Sequence, residues 1–175
     1  LSYANLIRKK INLEKLKEIT LIFSAHGLPE NKIKAGDPYQ WQVEQSVKEL
    51  VKKLSIENLN YILSYQSRVG PLKWIAPSTE EIIRHEAKKQ KILIIVPVAF
   101  VSEHSETLVE LDIEYKKLAK ENGSKDYIRV PAVTVNQDFI NSLKSSILKA
   151  SNDEKFTSSI KCPDNFKKCP RLKSL

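Results

Sequence analysis

Apolar positions along this chain alternate between two periods. Short runs rich in β-branched residues occur at residues 19–25 (ITLIFSA), at 61–65 (YILSY), from Lys91 onward (KILIIVPVAF) and, more weakly, at 127–130. Runs of this length bounded by polar or breaker residues read as buried strands. Between them the spacing becomes helical. Residues 1–17 carry Leu6, Ile7, Ile11, Leu13 and Leu16, and the stretch behind Asp37 carries Val43, Val47, Leu50, Val51 and Leu54. Asp37-Pro38-Tyr39-Gln40 supplies a cap, a proline at the first helical position and a Gln three residues on, while Ser78-Thr79-Glu80-Glu81 is a capping box for a helix to about Lys89. A last helix, about 137–149, starts behind Asn136 and is expected to turn Phe139, Ile140, Leu143 and Ile147 inward. Strand–helix alternation predicts an α/β fold: a parallel four-stranded sheet with helices on both faces. Residues 151–175 lack periodicity and are expected to form a basic, flexible tail.

The third strand turns through Phe100-Val101-Ser102 into a predicted α-helix that carries Glu103, Glu106, Glu110 and Glu114. Spacings of three and four place the carboxylates on one stripe, with Leu108, Leu111, Tyr115 and Leu118 opposite, facing a core. Each Glu–Glu pair four apart costs a helix about 0.2–0.5 kcal/mol. The helix dipole accounts for Glu103 and Glu106 near the start, but not for Glu110 and Glu114.

Composition narrows the chemistry. With 175 residues the chain can bury one core, and no apolar run reaches the length of a membrane-spanning helix. Two cysteines, Cys162 and Cys169, are too few for a disulfide scaffold, so a reducing, cytoplasmic compartment is expected. The net charge of +8 is mostly lysine on helix surfaces and in the tail. It is compatible with peripheral contact to an anionic inner-membrane surface, whereas no nucleic-acid-binding signature accompanies it. Four glycines, none in a Gly-rich strand-to-helix turn, argue against a dinucleotide or P-loop site.

In a parallel sheet ligands bind at the carboxyl ends of the strands. His26 follows the first strand, Gln66 to Trp74 the second and Phe100 to Glu106 the third, so these groups should meet on one edge. Imidazole and carboxylate together suit a borderline divalent cation, or proton acceptance, or both in a reaction that exchanges protons for a metal ion. The residues alone leave these alternatives open.

Three stretches resemble one known family. Residues 21–39 (LIFSAHGLPENKIKAGDPY), 65–71 (YQSRVGP) with Trp74, and 97–108 (PVAFVSEHSETL) followed by Glu110-Leu111-Asp112 resemble, in order, the motifs of ferrochelatase. That enzyme is a lyase that inserts ferrous iron into protoporphyrin IX in the last step of haem biosynthesis. The resemblance implies a Rossmann-like chelatase lobe over residues 19–150. It implies catalytic and metal-contacting roles for His26 and Glu106, and a metal or proton path through Glu103, Glu110 and Glu114. It also implies a porphyrin pocket that includes Ser67, Arg68, Trp74, Phe100 and His104. It covers only the second half of a two-lobed protein. Residues 1–18 would then lead in from the first lobe, and the last helix would pack against it. Protoporphyrin IX, ferrous iron and the N-terminal lobe are the implied partners, with no resident cofactor. A [2Fe–2S] cluster, known in some members, is not expected, because Asn165 stands where a further cysteine would and two thiolates do not hold such a cluster. The competing expectations are an inactive truncated fragment that binds metal or porphyrin, and a related tetrapyrrole chelatase with another metal.

Overall fold

A computed structural model of the chain describes residues 2–68, 70–151 and 162–169. Strands β1 (Ile19–His26), β2 (Tyr61–Gln66), β3 (Ile92–Pro97) and β4 (Asp126–Arg129) form a wholly parallel sheet in the order β2-β1-β3-β4. The first seven residues of β1 are buried, as expected of a central strand covered on both faces.

Side-chain alternation divides the core. Leu21, Phe23 and Ala25 of β1, with Ile94 and Val96 of β3, pack beneath Ala4 and Ile7 of α1 (Ser2–Arg8) and Val43, Val47 and Leu54 of α3 (Tyr39–Leu54). On the other face Ile22, Leu93 and Ile95 meet Ile83 and Ala87 of α4 (Thr79–Lys88) and Leu111, Tyr115 and Ala119 of the helix that follows β3. Each buried Leu, Ile, Val or Phe among them contributes about 1.5–3 kcal/mol by leaving water. The predicted capping box is formed, with Ser78 Oγ accepting from the Glu81 amide at 3.2 Å and Glu81 Oε2 from the Ser78 amide at 3.1 Å.

Three local expectations are corrected, and one further helix is present. The helix over residues 1–17 is two pieces: α1 ends at Arg8, and Leu13–Glu18 is a 3-10 turn started by Asn12, whose side chain caps the Glu14 amide. The further helix is short, α2 (Glu30–Lys34), and starts behind Pro29. The helix after β3 is not a plain α-helix: Glu106–Tyr115 is a π-helix that runs into α5 (Lys116–Glu121). Finally, α6 (Gln137–Ser151) buries no residue, and Ile140, Leu143 and Ile147 are exposed rather than turned inward.

The tail expected to be flexible lies largely outside the described residues. Residues 162–169 pack against the α2–α3 corner, where Phe166 meets Trp41 with ring centroids 5.9 Å apart and Cys169 is buried. The Lys168 amide donates to the Gly36 carbonyl at 3.1 Å. Gly36 has φ +92°, and a Cβ there would lie 3.1 Å from the Lys167 nitrogen. Among the described residues no helix is long and apolar enough to cross a membrane.

Candidate functional site

Strand register assembles the site. His26 ends β1 directly beside Gln66, the last residue of β2, and Ser24 lies beside Pro97, the last of β3. The three following loops therefore leave the sheet on one edge. The Tyr39 hydroxyl, from the start of α3, donates to the His26 carbonyl at 2.8 Å. Burial, with the charge of Glu106 adding to it, pushes the Tyr39 hydroxyl up to about 12, so it remains a donor at neutral pH. Gly27 makes the close packing possible. A Cβ at this position would come within 3.1 Å of the Gln66 carbonyl and 3.2 Å of the Trp74 ring.

His26 Nδ1 lies 2.7 Å from the Gly27 carbonyl. A carbonyl can only accept, so Nδ1 carries the proton, and in the neutral ring Nε2 holds the lone pair. Nε2 lies 3.4 Å from Glu106 Oε1, and both side chains are partly open to solvent, 40% and 37% exposed. A lone pair facing a carboxylate is a pairing that a shared proton or a cation stabilises. The structure thus brings together the two residues expected to be central.

The π-helix orders the carboxylates differently from an α-helix. A step of four residues overshoots a 3.6-residue α turn by about 40°. The wider π turn falls short, so the two drifts oppose along the composite helix. Thr107, Leu111, Tyr115 and Ala119, four apart, are consequently all buried, while Leu108 is exposed and does not face the core. Gln66 Nε2 donates to the Glu106 carbonyl at 2.9 Å and the Tyr127 hydroxyl to the Leu111 carbonyl at 2.7 Å.

Glu106, Glu110 and Glu114 line one wall of an open cleft of about 760 Å³, with Gln66, Arg68 and Trp74 also contributing to its lining. Glu110 is held by four donors: Gln66 Nε2 at 3.0 Å, the Ser67 amide at 2.8 Å, Ser67 Oγ at 2.5 Å and the Tyr115 hydroxyl at 2.7 Å. Burial and then this bond to Glu110 push the Tyr115 hydroxyl upward. Ser67 adopts a left-handed conformation, φ 58°, and both its amide and its hydroxyl reach the same carboxylate. Such strained non-glycine residues cluster at functional sites. Glu114 is exposed at the cleft wall.

Glu103 does not share this wall, which corrects the expected single stripe of four. It precedes the π-helix, and both of its oxygens accept from Arg129 Nη1, at 2.8 and 3.0 Å, while Oε1 also accepts from the Ala132 amide at 2.9 Å. Arg129 ends β4 and bonds Asp112 at 2.6 and 2.8 Å with its other two nitrogens. Burial pushes the Glu103 carboxyl up, but the Arg129 guanidinium, Thr107 and the Ala132 amide outweigh it and leave it below the usual range.

Of the expected pocket residues, Ser67, Arg68 and Trp74 line the cleft. Phe100 and His104 instead pack against one another with their rings tilted by 46°, 5.4 Å between centroids, and His104 Nδ1 accepts from the Glu106 amide at 3.3 Å. Trp74 Nε1 is buried without a hydrogen-bond acceptor among the described residues. Reading the sequence missed Arg129, Tyr39 and Tyr115. Each acts on a partner that no local spacing connects to it, except Tyr115, whose apolar position concealed a hydroxyl bond.

Comparison with known proteins agrees with the motifs. The ferrochelatase family model matches residues 2–151. A ferrochelatase of Pelagibacter ubique is 63% identical over 171 residues, which is 95% of this chain and 49% of that protein. Ferrochelatases of Rickettsia felis and Rickettsia bellii are 47% and 50% identical, covering 96% and 87% of this chain and 50% and 45% of theirs. The chain thus spans about half the length of the curated relatives it matches, and, with a site built from that family's motifs, it belongs to the ferrochelatase family.

Proposed function

We propose that this chain supplies one wall of a ferrochelatase cleft and, with the remainder of the protein, inserts ferrous iron into protoporphyrin IX. The observation that carries this reading is the pairing of His26 Nε2 with Glu106 Oε1 at 3.4 Å on the cleft edge. In the insertion reaction the two pyrrole N–H bonds break and two protons leave. Fe(2+) then takes the four ring nitrogens without a change of oxidation state. The Nε2 lone pair and the Glu106 side-chain oxygen 3.4 Å from it lie within reach of one point, and either can accept a proton or contact the incoming cation. The expected acidic path narrows on this reading. Glu106 and the exposed Glu114 are available carboxylates, whereas Glu110 is saturated by donors and Glu103 is occupied by Arg129 and the Ala132 amide. Trp74 and Arg68 offer a flat apolar surface and a cation to a macrocycle with acidic side groups.

The opposite wall belongs to the half of the protein that this chain does not span. The exposed apolar face of α6, with Ile140, Leu143 and Ile147, is where that half would pack. The test mixes the chain with ferrous iron and protoporphyrin IX under anaerobic conditions and follows haem absorbance. The N-terminal half of the Pelagibacter ubique relative is added in one arm and withheld in the other. Little or no turnover is expected from the chain alone, and turnover on addition. His26→Ala and Glu106→Ala should each abolish it while far-UV circular dichroism is unchanged. Full-rate turnover by the isolated chain, or by either variant, would overturn the reading.

A further inference from the structure

We infer that Gln66 is a positioning residue that holds the first turn of the π-helix and so sets Glu106 opposite His26. This rests on the proposed roles of those two residues and deepens that reading. Gln66 is only 1% exposed and makes three side-chain hydrogen bonds. Its amide nitrogen donates to the Glu106 carbonyl at 2.9 Å and to Glu110 Oε2 at 3.0 Å, while its oxygen accepts from Ser24 Oγ at 2.7 Å. The orientation is forced. A flipped amide would aim its oxygen at a carbonyl and a carboxylate, both of which can only accept.

That orientation fixes the direction of a buried chain. Ser24 has one proton and gives it to Gln66, so the 2.9 Å contact between Ser24 and Thr79 has Thr79 as donor. Thr79 has then used its proton, so Ser64 is the donor in its 2.9 Å contact with Thr79, which takes the Ser64 proton in preference to the longer, 3.3 Å approach to the Phe23 carbonyl. Each hydroxyl donates once along a line running Ser64, Thr79, Ser24, Gln66. The line ties β2, the start of α4 and β1 to the backbone of Glu106. Gln66 also lies beside His26 in strand register. One residue therefore spans both halves of the pair, through strand pairing to His26 and through its amide to Glu106.

A double-mutant cycle read by NMR tests this. In the wild-type chain, Glu106→Gln should displace the His26 Cε1–H resonance. In a Gln66→Met background, which keeps the shape and removes the hydrogen bonds, the same change should displace it less, by about twofold or more. Glu86→Gln disturbs a buried polar group at the other end of the sheet, where Glu86 accepts from Thr20. It should leave the displacement intact, so general loosening does not imitate the effect. If Gln66→Met does not fold, the same cycle is run in Ser24→Ala, which removes the hydroxyl that anchors the amide, and a reduced displacement is again expected. An undiminished displacement in the folded variant overturns the inference. The readout is a resonance of the chain itself, so it stands or fails independently of iron insertion.

Discussion

Glu103 and Glu106 stand three residues apart and are treated oppositely by the fold. Glu103 meets a guanidinium that is itself largely buried, 12% exposed, and is kept ionised by it. Glu106 meets an imidazole whose other nitrogen is already committed to the Gly27 carbonyl. One is a fastener, and the other stays partly open to solvent on the cleft. Because the Glu103 carboxyl sits below its ordinary range, its contribution is present above the unfolded carboxylate pKa and is lost as pH falls through the folded one. Glu103→Gln should therefore cost about 1–2 kcal/mol at pH 7. Urea titrations at pH 7 and near pH 3 check this, with the gap between wild type and variant closing at the acid end. His26 and Glu106 were legible as candidates because each follows a strand. The fate of Glu103 was not, since Arg129 lies 26 residues further on and carries no local signal.

At the scale of the element, the stretch after β3 is where a 3.6-residue period misleads. Apolar residues at Leu108, Leu111, Tyr115 and Leu118 fit an α-helical stripe, yet Leu111 is fully buried and Leu108 is 46% exposed. The difference is the π-helix, whose carbonyls at Glu106 and Leu111 are met by side chains from β2 and β4. Leu111→Ala should cost about 2–5 kcal/mol, as a core truncation does. Leu108→Ala should stay within about 0.5 kcal/mol. Chemical denaturation of the two variants checks the pair, and equal losses would contradict the register described here. The strands and the capping box of α4 were legible because their determinants lie within a few residues, as with Ser78 and Glu81. The π-helix was not, because the donors that satisfy its carbonyls are 40 and 16 residues away.

At the scale of the whole molecule, two cores flank the sheet while α6 contributes to neither. Replacing Leu143 and Ile147 with Lys should change the chain's own stability by no more than about 0.5 kcal/mol each, because neither is buried. The same change should prevent productive association with a supplied N-terminal half, which the haem absorbance assay would register as lost turnover. Retained turnover would overturn the proposed docking of that half on α6. The parallel sheet, the edge on which His26 and Glu106 meet, and the family follow from residue order alone, because hydrophobic period, caps and contiguous motifs are local properties of the chain. Which carboxylates stay open, which way α6 faces, and how Glu106 is aimed are settled by packing between distant elements. The first and last of these depend on Arg129, Gln66 and Tyr127, distant donors whose bonds exist only once the sheet has brought their strands together.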